Sequence, residues 1–180
     1  MNKPSIFFYK LAFVFAFSFT APNLSAQKVK NDSFAERVKT VDGTVNEILD
    51  IISGKKGEKR DWEAFRLLFA PKAQLSVMVH DSVGRGVLRT YTLEEFVRIG
   101  MRFYEGDGFI EYELKKTVDE YNGIAHVFQG YYAKELDTEE KGINSFQLYY
   151  DGKRWWITSL LWVSDRNGVK LPEKYDKRGA

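Results

Sequence analysis

The run from Gly142 to Trp162, GINSFQLYYDGKRWWITSLLW, limits the fold more than any other stretch of the chain. Two β-prone segments flank Asp151-Gly152, and Asp-Gly between alternating segments is a strong hairpin signal. Closing the pair around that turn, with a loop of two or four residues, makes facing positions sum to an odd number. Asn144, Phe146 and Leu148 then share a face with Trp155, Ile157, Ser159 and Leu161. The opposite face carries Ile143, Ser145, Gln147, Tyr149, Trp156, Thr158, Leu160 and Trp162. Neither face is polar throughout, so the hairpin is expected to be packed on both sides.

The stretches before it complete an α+β pattern. Phe34, Val38, Val41, Val45, Ile48, Leu49 and Ile52 recur at helical spacing, which predicts a helix from about residue 34 to 53 with Gly43 as a weak point. Asp61 caps a shorter helix, Trp62 to Phe69, that Ala70-Pro71 stops. Residues 73–80 alternate as a half-buried strand, and residues 87–91 form its short partner. Thr92 with Glu95 makes a capping box for a third helix through about Tyr104. Strands over residues 109–118 and 123–136 follow, with DTEEK, residues 137–141, as a charged turn before the hairpin. After Asp165 the chain is polar and expected to be loose. Helices early and strands late predict one α+β domain over residues 34–164.

The first residues read as an address. Lys3 and Lys10 bracket a short basic start, residues 11–19 are apolar, and Leu24-Ser25-Ala26 is a small-residue end. That is the layout of a signal peptide over residues 1–26, followed by a flexible lead-in over residues 27–33, so a periplasmic or secreted protein is expected. The apolar run is short of the roughly 20 residues a spanning helix needs. There is no cysteine, which excludes disulfides, thiol nucleophiles, Cys-ligated zinc and a lipid-attached leader. Without Lys3 and Lys10, the 27 basic residues fall to 25, equal to the 25 acidic ones. A near-neutral domain is a poor match for a general nucleic-acid binder.

Three stretches carry a resemblance: DWEAFRLLFAP (residues 61–71), GIAHVFQGYYAKE (123–135) and KGINSFQLYYDGKRWWITSLLW (141–162). With the order of elements, they resemble the nuclear transport factor 2-like superfamily, also called SnoaL-like or ketosteroid-isomerase-like, in its exported bacterial form. The resemblance implies a strongly curved mixed or antiparallel sheet wrapped around three helices as a cone with an apolar cavity. It implies no single function, because members include isomerases, dehydratases, hydrolases, ligand-binding domains and adaptors. The steroid isomerases' tyrosine and aspartates find no matching positions here, and neither does an Asp-Arg-Asp set. Members often dimerise through the outer sheet face, and Trp156, Leu160 and Trp162 suit a homodimer of that kind.

The candidate chemistry is an acid–base group in an apolar cavity, where burial raises a carboxyl toward neutrality. His126, Glu111 and Asp61 are the catalytic candidates. Each has a plainer reading: a structural histidine, a solvent-facing row with Glu113, and a helix cap. Asn144 and Ser159 are candidate polar groups for orienting a ligand. Trp155, Phe146, Trp62, Phe65 and Phe69 are core residues and candidate pocket wall, and Tyr104 and Tyr131 are candidate hydrogen-bond donors. With His80 and His126 the only histidines, a His-rich metal site is excluded, and no glycine-rich phosphate motif is present, so no cofactor is expected. The expected function is binding of a small apolar or aromatic ligand. A cofactor-free isomerase, dehydratase or hydrolase is one alternative, and a dimeric interaction module with a filled core is another.

Overall fold

The computed structural model describes residues 33–176. The signal peptide expected over residues 1–26 lies outside them. A helical turn over residues 33–37 precedes helix α1, Val41–Ile52. Helix α2 (Trp62–Leu67), strands β1 (Phe69–His80) and β2 (Gly86–Tyr91), and helix α3 (Leu93–Gly106) follow. Strands β3 (Ile110–Tyr121), β4 (Ile124–Glu135), β5 (Thr138–Tyr150) and β6 (Trp155–Ser164) form a meander. A 3-10 turn, Asp165–Asn167, and the short helix α4, Glu173–Asp176, end the described chain.

The six strands make one open sheet in the order β2-β1-β6-β5-β4-β3. Every pair is antiparallel except β1 with β6, which run parallel. Helix α1 packs against β3 and β6 although two strands separate them, so the sheet curves around it. The apolar stripe Val41, Val45, Ile48, Leu49 and Ile52 is buried there, as its spacing predicts. Below it lie Phe65, Leu75, Val127, Phe146 and Ile157, each almost wholly removed from solvent. The architecture is the α+β arrangement expected from the order of elements, with the curved sheet that the resemblance implies, left open rather than closed.

Local chemistry moves several boundaries. The helix expected over residues 34–53 breaks before Val41, because Thr40 is extended and its hydroxyl accepts a hydrogen bond from Gly43 N at 3.0 Å. A side-chain cap of this kind starts a new helix rather than continuing the old one. Strand β1 begins at Phe69, before Pro71, with Lys72 at φ 67° bending the chain. The capping box at Thr92 forms: Thr92 Oγ1 accepts from Glu95 N at 3.2 Å, and Glu95 accepts from Thr92 N at 2.8 Å. The charged turn expected over residues 137–141 contracts to Leu136-Asp137, so Glu140 and Lys141 belong to β5.

The hairpin register is as expected near the turn and shifts beyond it. Tyr150 faces Trp155 and Leu148 faces Ile157 across a four-residue loop. Thr158 is then an extra residue, and Gln147 faces Ser159, Phe146 faces Leu160 and Asn144 faces Trp162. The bulge reverses the alternation of everything after it. Leu160 and Trp162 therefore turn to the inner face, not the outer one assigned to them for a homodimer, and Ser159 turns outward, away from the ligand side expected for it. A second bulge in β3 leaves Leu114 unpaired between Glu113, which faces Tyr131, and Lys115, which faces Gly130.

The C-terminal segment is docked, against expectation. Tyr175 is buried on the outer sheet face, its ring edge-on to Phe128 and its hydroxyl 3.1 Å from Thr117 Oγ1. Gly130 permits this, since a Cβ there would lie 2.2 Å from the Tyr175 carbonyl oxygen.

One polar cluster ties the helices into a rigid lid. Glu105 accepts hydrogen bonds from Lys59 Nζ at 2.7 Å, Trp62 Nε1 at 2.9 Å and Arg60 N at 3.2 Å. Arg60 in turn donates to Ile52 O at 3.0 Å and Tyr104 O at 2.9 Å. These carbonyls belong to the last turns of α1 and α3, where helix carbonyls lack intrahelical donors. The bond from Lys59, opposed by burial and joined by those from Trp62 and Arg60, holds the Glu105 carboxyl down at about 2. Glu105→Ala leaves a buried indole N–H unpaired and is expected to cost about 2–3 kcal/mol at pH 7. A depressed carboxyl stabilises the fold above its ordinary pKa and loses that effect as pH falls toward its folded value. The stability gap between wild type and variant should therefore narrow from pH 4.5 down to pH 2, measured by denaturant unfolding.

Candidate functional site

An apolar cavity of about 40 Å³ lies between the helices and the concave sheet face. Helix α1 contributes Ile48, Leu49 and Ile52, α2 contributes Phe65, and α3 contributes Phe96 and Tyr104. The sheet supplies Glu111 from β3, Asn144 and Phe146 from β5, and Leu160 and Trp162 from β6. Glu111 and Asn144 thus meet in a wall otherwise made of aliphatic and aromatic side chains.

Glu111 is fixed at both ends. Its backbone N–H donates to Ser53 Oγ at 2.9 Å, and Ser53 Oγ donates to Glu111 O at 3.0 Å. Ser53 is the C-cap of α1, so one hydroxyl locks the start of β3 to the helix that roofs the cavity. Gly54 and Phe109 continue the attachment with two backbone hydrogen bonds, 2.7 and 3.0 Å. At the other end Asn144 Nδ2 donates to Glu111 Oε1 at 2.8 Å. Burial pushes the Glu111 carboxyl up to about 7, partly opposed by the bond from Asn144 and reinforced by the charge of Glu140. A carboxyl with that value exchanges its proton readily at neutral pH.

Tyr104 lines the same cavity, with its ring 4.6 Å from Phe109 and stacked 6.2 Å from Trp62. Burial, and then the charge of Glu111, raises its phenol well above the ordinary range, so it keeps its proton and remains a donor. Tyr131 is buried beside the cavity, pressed over Gly142, where a Cβ would lie 2.4 Å from its ring. Its hydroxyl donates to Glu140 Oε1 at 3.5 Å, and Glu140 pairs with Arg166. Trp162 packs edge-on to Phe96 at 5.9 Å. It also lines an open polar groove of about 610 Å³ with His80, Glu140 and Arg166. Trp162 thus lines both the groove and the cavity.

The candidate residues separate cleanly. Glu111, Asn144, Phe146, Phe65 and Tyr104 meet at the cavity. Trp62, Phe69 and Trp155 are buried core around it. His126 faces outward: its Nε2 lies 3.2 Å from Ser145 Oγ and its ring lies near Phe128. It is a structural histidine on the convex face and does not reach the cavity. Asp61 caps α2 by accepting from Ala64 N at 3.0 Å and does not line the cavity. Sequence reasoning missed Leu160 and Trp162 on the inner face, and it missed Gln129 and Glu140 as neighbours of Glu111; Glu113 it placed on the same strand face, but facing solvent. The first two were hidden by the β6 bulge. Gln129 was legible as an amide in an apolar alternation, and Glu140 was read as turn.

The open six-stranded sheet, its helical lid and the cavity beneath it define the nuclear transport factor 2-like fold. Among solved structures, the chain is similar to a nuclear transport factor 2-like protein with a cystatin-like fold from Novosphingobium aromaticivorans. The identity is 12%, the match covers 81% of this chain and 90% of the other, and the TM-score is 0.52. It is also similar to hexachlorocyclohexane dehydrochlorinase LinA-type3 from Novosphingobium barchaimii, at 10% identity over 78% of this chain and 90% of that one, TM-score 0.51. A protein of unknown function from Nostoc punctiforme with a cystatin-like fold aligns at 11% identity, 79% and 93% coverage and TM-score 0.50. No family model and no curated protein matches the sequence.

The raised Glu111 carboxyl has a cost in stability. A group that holds its proton more tightly when folded stabilises the fold below its unfolded pKa and loses that contribution as pH rises through its folded one. Stability should therefore decline between about pH 4.5 and pH 7, by up to roughly 3 kcal/mol for this group. Glu111→Gln keeps an acceptor for Asn144 without a buried charge. It should remove that decline and unfold at a higher denaturant concentration than wild type at pH 8.

Proposed function

We propose that the cavity binds a small, largely apolar organic molecule bearing one hydrogen-bonding group, and that Glu111 exchanges a proton with it. The observation that supports this reading is a neutral-range carboxyl, oriented by Asn144, in a wall of aliphatic and aromatic side chains. Pockets of this type hold a ligand by apolar contact and orient it with few polar groups. The cavity as it stands, about 40 Å³, accepts guests of roughly three or four water volumes at about 10–15 Å³ each. A molecule of ordinary metabolite size needs Trp162 to swing aside and join cavity to groove.

The cofactor-free enzyme reading rests on Tyr104. A phenol that keeps its proton, lining the same cavity as a carboxyl able to lose one, is a donor–base pair suited to proton abstraction next to a polarised group. Proteins named as hexachlorocyclohexane dehydrochlorinases have a similar fold, which supports a reading with chemistry on a small organic molecule.

The test is a thermal-shift panel of small ketones and halogenated hydrocarbons at pH 6 and pH 8, with native mass spectrometry for retained ligand. Stabilisation should differ between the two pH values in wild type and become indifferent to pH in Glu111→Gln. Trp162→Ala should extend the accepted size range to larger rings. Ligands that bind Glu111→Gln and wild type alike at both pH values would show that the carboxyl plays no part. Deuterium uptake by a bound ketone, lost in Glu111→Gln, would establish proton transfer itself.

A further inference from the structure

Glu111 does not stand alone. Asn144 Nδ2 donates to Glu111 Oε1 at 2.8 Å and to Gln129 Oε1 at 3.3 Å. Gln129 Nε2 donates to Glu113 Oε2 at 2.7 Å, and Lys116 Nζ holds both oxygens of Glu113 at 2.8 Å. Asp42 on α1 lies 3.4 Å from the same ammonium. Gln129 and Asn144 are buried, while Glu113 and Lys116 reach partial exposure.

The chain has one polarity only. A carboxylate paired with lysine accepts hydrogen bonds and donates none, so Gln129 must present its NH2 to Glu113. Its carbonyl then faces Asn144, which must answer with its own NH2. Both Asn144 protons are thereby committed, one to Gln129 and one to Glu111. Glu111 Oε1 meets a donor whatever its own charge, so any proton on the acid must sit on Oε2.

We propose that Gln129, Glu113 and Lys116 are positioning residues that act through Asn144 to fix Glu111 Oε1 as a permanent acceptor, leaving Oε2 as the oxygen that carries and exchanges the proton. This rests on the reading of Glu111 as the proton-exchanging group. The β3 bulge makes the arrangement possible: residues three apart on a regular strand point to opposite faces, and the extra residue at Leu114 brings Glu113 and Lys116 to the same one.

Titratable groups face Glu111 from several of the elements around it. Glu140 from β5 and Tyr131 from β4 lie on the sheet side, Tyr104 on α3, and Glu113 on its own strand, while α1 presents only Ile48, Leu49 and Ile52 to the cavity. Removing the negative charge of Glu113 would, through space alone, lower the Glu111 pKa. Releasing the relay would raise it, because an unanchored Asn144 spends time with its carbonyl toward the carboxylate.

The opposite signs make the test decisive. The Glu111 side-chain carboxyl is followed by 13C NMR titration in wild type, Gln129→Met and Glu113→Leu; each substitution removes an acceptor or donor the relay needs. Both variants should raise the Glu111 pKa by about one unit relative to wild type. An unchanged or lowered value in Glu113→Leu overturns the proposal, and that partly exposed site decides the matter even if Gln129→Met does not fold. A wild-type Glu111 titrating as an ordinary carboxyl would instead sink the proton-exchange reading. That leaves the relay to be judged on the difference between variant and wild type.

Discussion

The site depends on two extra residues in the sheet. Leu114 in β3 and Thr158 in β6 each break the two-residue alternation of their strand. Without the first, Glu113 and Lys116 would point to opposite faces and could not pair, and Gln129 would lose the charged anchor that orients it. Without the second, Leu160 and Trp162 would lie on the convex face, and the cavity would lack one wall. Bulges bend the strands that carry them and strengthen their twist, so the same two insertions that re-aim the side chains also help to curve the sheet around α1. Shape and chemistry have one local cause.

The lid is held by polar contacts of a different kind. Arg60 binds the last-turn carbonyls of α1 and α3, and Glu105 binds the segment that leads into α2. Charged groups so deeply placed are tolerated because each meets several partners, and removing one partner exposes the rest. The aromatic ladder of Phe109, Tyr104, Trp62 and Phe65 is fixed in place by this framework rather than by packing alone. Tyr104 therefore faces Glu111's cavity from a rigid support, which a residue acting as a donor requires.

Much of this was legible in the chain. Asp151-Gly152 gave the hairpin its turn, Thr92 with Glu95 marked the start of α3, and the stripe from Val41 to Ile52 showed the helix face that roofs the core. Glu111 and Asn144 were both named as candidates, and both line the cavity. What was hidden follows from the bulges. Thr158 and Leu114 are ordinary strand residues, β-branched and aliphatic, with no glycine to signal an irregularity. Past Thr158 a parity argument inverts, which is why Ser159 was placed inside while Leu160 and Trp162 were placed outside. His126 shows the converse: its face is open in the sequence, and the unbroken alternation of β4, with Ala125, Val127, Gln129 and Tyr131 buried on the inner side, turns it outward. Tyr175 could not be foreseen, since its docking depends on Gly130 two strands away in the sequence.

The cavity combines features that work against stability. The chain has no disulfide to constrain its unfolded state, yet it sets a half-buried carboxyl, two buried amides and the phenols of Tyr104 and Tyr131 at or beside a void. An apolar filling of the same volume would avoid the desolvation these groups suffer. Packing alone does not call for an acid among Ile48, Leu49 and Phe146, nor for an amide relay behind it that satisfies every donor. A buried polar network that is complete, oriented and open at a single oxygen is the arrangement expected where structure has yielded stability to chemistry. Trp162 stands where the two hollows come together: it is half-buried, bears on Phe96 at its edge, and lines both the 40 Å³ cavity and the open groove.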